Sequence, residues 1–516
     1  MESEPSLAGL LPAVVAIVLA LVTRQVLLSL VGGVFTGAAL LFGLAKAPAG
    51  AIDLVVATLA DKDKLKVVAF TLAMGGLVGV VAAAGGTKGI VEWVKGRART
   101  PKSGMLATWA MGLVIFFDDY ASTLLVGNTM RPITDSLRIS REKLSYIVDS
   151  TSAPIASLAL ISTWIGYEVS VLGDAMKAVG LTADPYSIFV AGLPSRFYPI
   201  FTLVFVVIVA VTKRDFGPMW QAEHRARTTG AVLREGAQPL VDAALVDEEK
   251  ALENVAPRAS IAIASIGALI ACVLAVLAER GADASYDALL YGAAAGLVVA
   301  IALAVGMRAL SVERTMDAVV RGVRSMALAI LVLGLAWSVG KVMSDLKAGE
   351  ALARVLGDAL PAVSLPTVTF VLAGAMAFAT GTSWGTMAIL FPIVVPVVAA
   401  HQGASGFDGL FLATTSAVLS GAVFGDHCSP ISDTTVLSSI ASASDHVDHT
   451  RTQIPYALTA GIVSIVFGTI PTGLGLSPWP CLVVGVLVLI GVHRVLGREV
   501  PDTGDAPSSS IAPRDA

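Results

Sequence analysis

The chain has 516 residues, of which 55% are hydrophobic and only 14% are charged, and its formal net charge is −4. A soluble protein of this length carries charge on roughly a quarter of its residues, so the composition excludes an ordinary water-soluble fold. No basic tract indicates a nucleic-acid partner. The three cysteines are an odd number in apolar surroundings, which argues against a disulfide framework.

Apolar runs recur along nearly the whole chain, in the order Leu7–Val22, Val67–Ala84, Phe201–Val211, Ile261–Leu277, Leu289–Val305 and Cys481–Val492. A helix needs about 20 mostly apolar residues to cross the hydrocarbon, and shorter runs suffice for re-entrant segments. Because the runs are continuous rather than alternating, they predict helices and not a membrane β-barrel. We expect an all-α polytopic membrane protein with about 12 to 15 spanning or re-entrant segments. Within the runs, Gly75, Gly76, Gly334 and Gly340 are interpreted as helix-packing residues.

Basic residues mark the cytoplasmic side of a membrane protein. They cluster at Lys88–Lys102, Arg131–Lys143, Lys213–Arg234, Arg308–Arg324 and His493–Arg498. The loops near Glu168–Asp184, Glu279–Asp287 and Lys347–Leu365 are poorer in basic residues and are assigned to the outer side. The predicted organisation is a first transmembrane repeat at 1–212, a cytoplasmic linker at 213–256, a second repeat at 257–475, and a final helix with a cytoplasmic tail at 476–516.

The two halves of the chain resemble each other. An offset of about 260 pairs Pro132-Ile133 with Pro392-Ile393, and a further shift of about 16 pairs Pro154-Ile155 with Pro430-Ile431. The charge markers make Val67–Ala84 run inward, whereas its partner in the second half runs outward. This pattern predicts two inverted-topology repeats, related by an axis in the membrane plane, as secondary transporters often have.

Four polar stretches interrupt the apolar pattern at corresponding places in the two halves, namely Phe116–Pro132, Tyr146–Trp164, Phe378–Pro396 and Phe424–Ser439. Each combines Gly or Pro, which open the helical hydrogen-bond ladder, with Ser, Thr or Asp oxygens. Discontinuous helices in both repeats indicate a transporter's binding site near the bilayer midplane. The candidate ion- or substrate-binding residues are Asp118, Asp119, Asn128, Asp149, Ser152, Thr382, Ser383, Asp426, His427, Ser429, Asp433 and Thr434. We expect them to converge on one pocket.

Carboxylates inside the hydrocarbon are costly and therefore rarely idle, although a helix cap or an interfacial position would also explain Asp118 or Asp149. Sodium is a hard cation that prefers oxygen ligands, as calcium and magnesium do. Asp426, Ser429 and Asp433 form the predicted Na⁺ site. Burial favours the protonated form of a carboxylate, so one group can hold H⁺ or help to hold Na⁺ but not readily both. Such competition is sufficient for exchange.

Other interpretations of these stretches are weaker. His427-Cys428 lacks the spaced ligands of a zinc site, and His427 is either a proton carrier or a hydrogen-bonded polar residue. The Gly381–Gly385 run has the letters of a nucleophile elbow around Ser383, but an apolar helical setting does not fit the strand-to-helix turn that this motif needs. We expect no cofactor and no enzymatic activity, because no set of nucleophile, base and orienting residue can be assembled.

The motifs GDHCSPISDTT (Gly425–Thr435), GTSWGTMAILFP (Gly381–Pro392) and FFDDYASTLLVGNTMRP (Phe116–Pro132), the last followed by DSTSAPIASLALISTWIGYE, resemble the NhaC-type Na⁺/H⁺ antiporter family. The resemblance runs from about Val31 to Pro471. It implies inverted repeats with paired re-entrant hairpins, a scaffold domain, a mobile transport domain, and usually a homodimer. In the family's malate–lactate branch, Lys and Met occupy the positions of His427 and Cys428, which argues against that substrate pair.

Two transport functions remain open. The first is Na⁺/H⁺ antiport across the inner membrane of a bacterium. The second is Na⁺- or H⁺-coupled transport of an amino acid or small carboxylate, since Asn128, Arg131, Trp164 and Trp384 could frame a solute larger than an ion. Arg131 is otherwise an anchor at the cytoplasmic end of its helix. A channel is disfavoured, because an inverted repeat suits two alternating gates rather than one continuous pore.

Overall fold

The computed structural model describes residues 7–23, 25–95, 98–239, 255–280, 284–347, 351, 361–401 and 408–501. Within these ranges the chain is helical apart from turns and a ladder of two very short strands. The prediction of an all-α fold is therefore confirmed. Prolines and polar residues divide the apolar sequence into many short helices rather than a few long ones.

The helices of the first half are α1 (Leu11–Thr23), α2 (Val26–Phe42), α3 (Ala47–Leu59), α4 (Lys62–Ala83), α5 (Gly86–Lys95), α6 (Pro101–Val114), α7 (Asp119–Ser136), α8 (Arg141–Ser150), α9 (Ala153–Ala156), α10 (Thr163–Ala178), α11 (Pro185–Gly192), α12 (Phe197–Thr212) and α13 (Gly217–Thr229). Single 3₁₀ turns occupy Leu7–Leu10, Leu44–Lys46 and Leu193–Ser195.

The helices of the second half are α14 (Ala259–Arg280), α15 (Ser285–Gly306), α16 (Val312–Ser325), α17 (Ala327–Asp345), α18 (Leu365–Thr380), α19 (Ser383–Ala400), α20 (Gly409–Cys428), α21 (Asp433–Ala441), α22 (His446–Ser464), α23 (Ile470–Gly473) and α24 (Pro478–Leu496). A 3₁₀ turn at Ala362–Ser364 precedes α18, and a π-helical turn at Ile465–Thr469 joins α22 to α23.

Nine helical stretches of the described chain are long and apolar enough to cross a membrane. A tenth span results if the pair Pro185–Ser195 and Phe197–Thr212, bent by 47°, is counted as one. Shorter helices such as α6 to α9 and α21 account for broken or re-entrant segments. The prediction of a polytopic membrane protein is confirmed. The expected 12 to 15 segments included re-entrant ones, and the nine or ten full-length spans are fewer than that total.

Helix α20 is largely enclosed by the rest of the protein, and 78% of the residues in its 18-residue apolar stretch are buried. It crosses α18 at very close range, because a Cβ atom on Gly425 would lie 2.0 Å from the carbonyl oxygen of Gly374. A second close crossing joins α4 to α16, where a Cβ on Gly322 would lie 2.0 Å from the carbonyl oxygen of Gly75. Backbones approach this closely only where small residues remove the side chains between them.

Replacing Gly322 by valine is expected to destabilise the protein by at least about 1–3 kcal/mol, because the obstructing atom is backbone and cannot rotate away. The matched control is Gly491→Val on α24, since a Cβ on Gly491 meets no atom within 4 Å. Thermal unfolding of the two purified variants in detergent measures the difference. Equal midpoints for both variants would show that the α4–α16 crossing is dispensable.

The predicted cytoplasmic linker begins with ordered structure that packs on the helix bundle. Strand β1 (Arg214–Asp215) pairs antiparallel with β2 (Arg498–Glu499), which follows the last helix. Helix α13 contacts the start of α8, where Glu223 accepts a hydrogen bond of 2.7 Å from the Ser140 N–H and Arg225 pairs with Glu142 at 3.0 Å. Residues 240–254 of the predicted linker lie outside the described ranges.

The order of elements is similar in the two halves. In the first, α6 and α7 are separated by a short break and are followed by α8, which breaks before α9. In the second, α18 and α19 are separated by a short break and are followed by α20, which breaks before α21. This order is what a repeat predicts, but it does not define a symmetry axis. Superposition of 67–163 on 326–439 about an axis in the membrane plane stays a prediction.

Candidate functional site

Helices break within each of the four polar stretches. The helix-to-helix connections occupy 115–118, 151–152, 381–382 and 429–432. Gly381 ends α18 with φ of +68°, a left-handed conformation that glycine adopts without strain. Interrupted helices leave backbone N–H and C=O groups free of their helical partners, and such groups can bind ions.

The first break contacts the second and the fourth. The Ser152 hydroxyl donates to the backbone carbonyl of Asp119 at 2.8 Å and lies 2.7 Å from the Thr123 hydroxyl. The Tyr120 hydroxyl donates to the carboxylate of Asp433. Because Tyr120 follows Asp119 directly, these bonds bring Asp119 close to Asp433, from residues more than 300 positions apart in sequence.

The third break contacts the fourth. The Ser429 hydroxyl donates to the carbonyl oxygen of Phe378 at 2.7 Å, and a Cβ on Gly381 would lie 2.5 Å from the carbonyl oxygen of Ile431. The Ser383 hydroxyl donates to a carbonyl oxygen of α20 at 3.3 Å. All four breaks therefore meet in one region of the protein.

Two carboxylates of the fourth break share one threonine. The Thr434 hydroxyl donates to Oδ2 of Asp426 at 3.3 Å, and the Thr434 backbone N–H donates to Oδ1 of Asp433 at 2.8 Å. Asp426 is buried, and its Oδ1 has no hydrogen-bond partner within the described ranges. A buried carboxylate oxygen without a donor is a position at which a proton or a cation would be stabilised.

Asp149 lies at the end of α8 and joins the same region. Its Oδ2 accepts hydrogen bonds from the Thr435 hydroxyl at 3.0 Å and from the Gln453 amide at 2.6 Å. The Gln453 amide nitrogen also donates to the backbone carbonyl of His427 at 2.7 Å. Gln453 therefore fixes the Asp149 carboxylate against the end of α20.

His427 is buried and hydrogen-bonded through both ring nitrogens. Its Nδ1 lies 2.6 Å from the Tyr198 hydroxyl, and its Nε2 lies 3.2 Å from the Ser150 hydroxyl. Nε2 is also 3.9 Å from the Asp149 carboxylate. Of the two interpretations of His427, this arrangement favours a hydrogen-bonded polar residue. In the part of the chain that the structure describes, no group of three or more His, Cys, Asp or Glu could hold a metal ion.

The remaining candidate residues are less central. Asp118 is buried beside Asp119. Thr382 uses its hydroxyl to accept the Gly385 N–H at 3.4 Å, as the N-cap of α19. Asn128 is half-buried on α7, nine residues beyond Asp119, which is about 13 Å along the helix. The structure thus brings most of the predicted residues together but does not place Asn128 among them.

Comparison with known proteins adds independent information. The model of the Na⁺/H⁺ antiporter family matches residues 155–470, more than half of the chain. The chain belongs to the Na⁺/H⁺ antiporter family. An uncharacterized protein of Haemophilus influenzae is 32% identical over 511 residues, which cover 95% of this chain and 96% of that protein. The malate-2H⁺/Na⁺-lactate antiporter of Bacillus subtilis is 31% identical over 176 residues, 33% of this chain and 35% of its own.

A solved structure shares the fold of this antiporter-family protein. MtrF of Neisseria gonorrhoeae, described as representing a class of antimetabolite efflux pumps, superimposes with a TM-score of 0.50 over 90% of this chain and 87% of its own. At 12% identity, the similarity concerns the fold alone. The family membership shows secondary transport as the general function of the chain.

Sequence reasoning missed several side chains that build the site of this antiporter-family member. Tyr120 stands inside the first polar stretch, but a tyrosine beside two aspartates was not recognised as a partner for Asp433. Gln453 is an amide close to the start of the apolar part of α22. This position is the only feature of the sequence that could have indicated a role for Gln453 in the site.

A buried ion pair was also missed. Glu168 is predicted at the start of an outer loop, but it lies inside α10 with 1% of its side chain exposed, 2.9 Å from the guanidinium of Arg196. The loop assignment is wrong at this position, because Glu168 lies within a helix. Its buried charge is compensated by the guanidinium of Arg196 rather than by hydration. Arg196 is equally buried, at the bend between α11 and α12.

Proposed function

We propose that the protein is a Na⁺/H⁺ antiporter in which Na⁺ and H⁺ compete for the carboxylates of Asp426 and Asp433. Membership of the family supports secondary transport as the general function, and the convergence of the four helix breaks supports an ion site in that region. Na⁺ is the transported cargo here and not a resident cofactor. The buried hydroxyl and carbonyl oxygens around the two carboxylates are the ligand type that a hard cation prefers.

The charge balance of the site is the observation that carries this proposal. Asp119 and Asp426 are buried, Asp433 is exposed at the start of α21, and within the described ranges none of the three forms an ion pair with lysine or arginine. Buried carboxylates beside a third carboxylate cannot all be ionised at low cost without a compensating cation. Either Na⁺ or protons can supply that compensation, and an exchange of one for the other keeps the charge in balance.

The position of a large cavity bears on the size of the cargo. A cavity of about 500 Å³ lies between α10, α17 and α19, but none of the candidate binding residues lines it. An organic solute would need room for several carbon atoms beside the carboxylates, whereas a dehydrated ion would not.

A proteoliposome assay tests the proposal. Purified protein is reconstituted with a pH-sensitive dye inside, and an outward or inward Na⁺ gradient is imposed in the absence of organic solutes. Antiport predicts that protons move opposite to Na⁺, so that an inward Na⁺ gradient raises the internal pH and an outward one lowers it. The response should be absent with a K⁺ gradient of equal size. Without a pH response to either gradient, Na⁺/H⁺ antiport is excluded.

The second candidate function is Na⁺- or H⁺-coupled transport of a small carboxylate or amino acid. It is favoured by the partial similarity to a protein named as a malate and lactate antiporter and by the aromatic pair Trp164 and Trp384, whose ring centroids are 5.8 Å apart. Adding candidate solutes to the same vesicles distinguishes the two functions. A pH response that requires a solute would support the second function and contradict the first.

We further propose that the protein is a homodimer in the inner membrane of a bacterium, as the family resemblance implies. Native mass spectrometry of the protein released from detergent micelles measures the oligomeric state. A single species at the mass of one 52.9 kDa chain would contradict the dimer.

A further inference from the structure

A vestibule of about 500 Å³ opens at one end of the bundle, between α10, α17 and α19. Asp174, Ser344 and Lys347 contribute polar groups to its wall, and Trp337 and Met343 contribute apolar ones. These residues lie toward the C-terminal ends of α10 and α17, on the side that the distribution of basic residues assigns to the outside. The vestibule therefore lies on the predicted outer side of the protein.

Helix α10 connects this vestibule to the carboxylates. Its first residue, Thr163, donates its N–H to the carbonyl oxygen of Phe117 at 2.9 Å, directly before Asp118. Farther along α10, Val171 and Ala175 line the vestibule. Positions 164, 167, 171 and 175 are spaced by three or four residues, so their side chains lie on one face of the helix. That face runs from the site to the vestibule.

Helix α19 makes a similar connection. It begins at Ser383, whose hydroxyl bonds to the same helix that carries Asp426. Toward its other end, Pro392, Pro396 and Ala399 line the vestibule. The two helices thus form opposite walls of one path.

Three aromatic side chains close this path. The Trp384 ring packs edge to face against Trp164, with ring centroids 5.8 Å apart. It also packs against Tyr167, with ring centroids 4.4 Å apart. The Tyr167 hydroxyl also donates a hydrogen bond to the backbone carbonyl of Trp384, which links α10 to α19. Trp164 and Tyr167 are 1% and 0% exposed. Since Val171 is only one turn beyond Tyr167, the aromatic cluster lies between the vestibule and the carboxylates.

We propose that Trp164, Tyr167 and Trp384 form the external gate of the transporter and that this structure shows the gate closed. The proposal rests on the proposed transport function, because a gate has meaning only for a transported cargo. Opening requires Trp384 to leave the Tyr167 ring and the hydrogen bond to break, which exposes Ser383 and the carboxylates behind it to the vestibule. The aromatic faces are also suited to a partly dehydrated cation as it passes.

Cysteine labelling tests the gate without measuring transport. The three native cysteines are replaced by serine, and a membrane-impermeant thiosulfonate is added from the vestibule side. One reporter, Ser344→Cys, is exposed in the vestibule wall outside the gate, and the other, Ser383→Cys, is buried behind it. We expect rapid labelling at position 344 and slow labelling at position 383 while the aromatic cluster is intact.

Removing the gate should change only the second reporter. Trp384→Ala is expected to accelerate labelling of Ser383→Cys about tenfold, the effect of losing about 1.4 kcal/mol of closed-state stabilisation. Tyr167→Phe removes only the hydroxyl bond and is expected to accelerate labelling less, and it serves if Trp384→Ala does not fold. The matched control is Trp337→Ala, which removes an equally large, buried side chain from the vestibule wall without touching the aromatic cluster.

The outcomes are distinct. Equal labelling rates of Ser383→Cys with the native aromatic cluster, with Trp384→Ala and with Tyr167→Phe would overturn the gate, as would acceleration by Trp337→Ala of the same size. Labelling of position 383 as rapid as position 344 in the parent, or no labelling of position 344, would overturn it as well. A transporter that shows gated labelling but no pH response to Na⁺ would contradict the proposed antiport and leave the gate intact.

Discussion

Replacing Asp433 by asparagine is expected to lower Na⁺-driven proton movement by at least about a hundredfold, which corresponds to about 2.7 kcal/mol. The substitution removes the charge that would hold Na⁺ and the group that would exchange a proton, while an amide oxygen remains to accept the hydrogen bond from Tyr120. Asp433→Ala is expected to have the same effect on transport. The initial rate of dye response in proteoliposomes measures the loss.

The control for this experiment is Glu499→Gln, which neutralises a carboxylate that is 84% exposed and pairs only loosely with Arg214 at 3.4 Å. Its transport rate is expected to match that of the parent, since exposed ion pairs contribute little. Both variants should elute from a sizing column as the parent does. Unchanged Na⁺ dependence in Asp433→Asn would show that the carboxylate is structural and would remove it from the ion site.

The sequence predicted the location of the helix breaks because the signal for each break is local. Gly and short polar residues interrupt an apolar run and favour a helix end, whereas Pro132, Pro392 and Pro396 of the same stretches lie inside helices. Gly381 and the stretch after Asp426 are examples, and both end helices in the structure. The repeated order of these signals in the two halves also led to the expectation that the breaks converge.

Contacts between distant residues were not predictable in the same way. Nothing near Tyr120 indicates a bond to Asp433, and nothing near Gln453 indicates a bond to Asp149, because each pair is brought together only by packing of whole helices. From the sequence, His427 is either a proton carrier or a hydrogen-bonded polar residue. The partners of its two nitrogens, Tyr198 and Ser150, come from other helices and suit a structural role.

The buried pair of Glu168 and Arg196 shows the same limit and leads to the second large expected effect. The guanidinium of Arg196 lies 2.9 Å from Glu168 Oε2, donates to the carbonyl oxygen of Ser157 and stacks 4.1 Å from the ring centroid of Phe189. It therefore ties α10, the end of α9 and the bend between α11 and α12 together. Both charges are withdrawn from water, so each stabilises the other only while both are present.

Arg196→Met alone is expected to destabilise the protein by about 3–5 kcal/mol, because it leaves the Glu168 charge buried without a partner. The double variant Arg196→Met with Glu168→Gln is expected to recover a large part of that loss, since no uncompensated charge remains. Unfolding by sodium dodecyl sulfate in mixed micelles, followed by near-ultraviolet circular dichroism, measures the free energies of both. The matched control, Lys341→Met at the exposed pair with Asp345, should change the free energy of unfolding by at most about 1 kcal/mol. If the double variant is as unstable as the single one, the contacts of Arg196 with Ser157 and Phe189 stabilise this bend, and the ion pair with Glu168 does not.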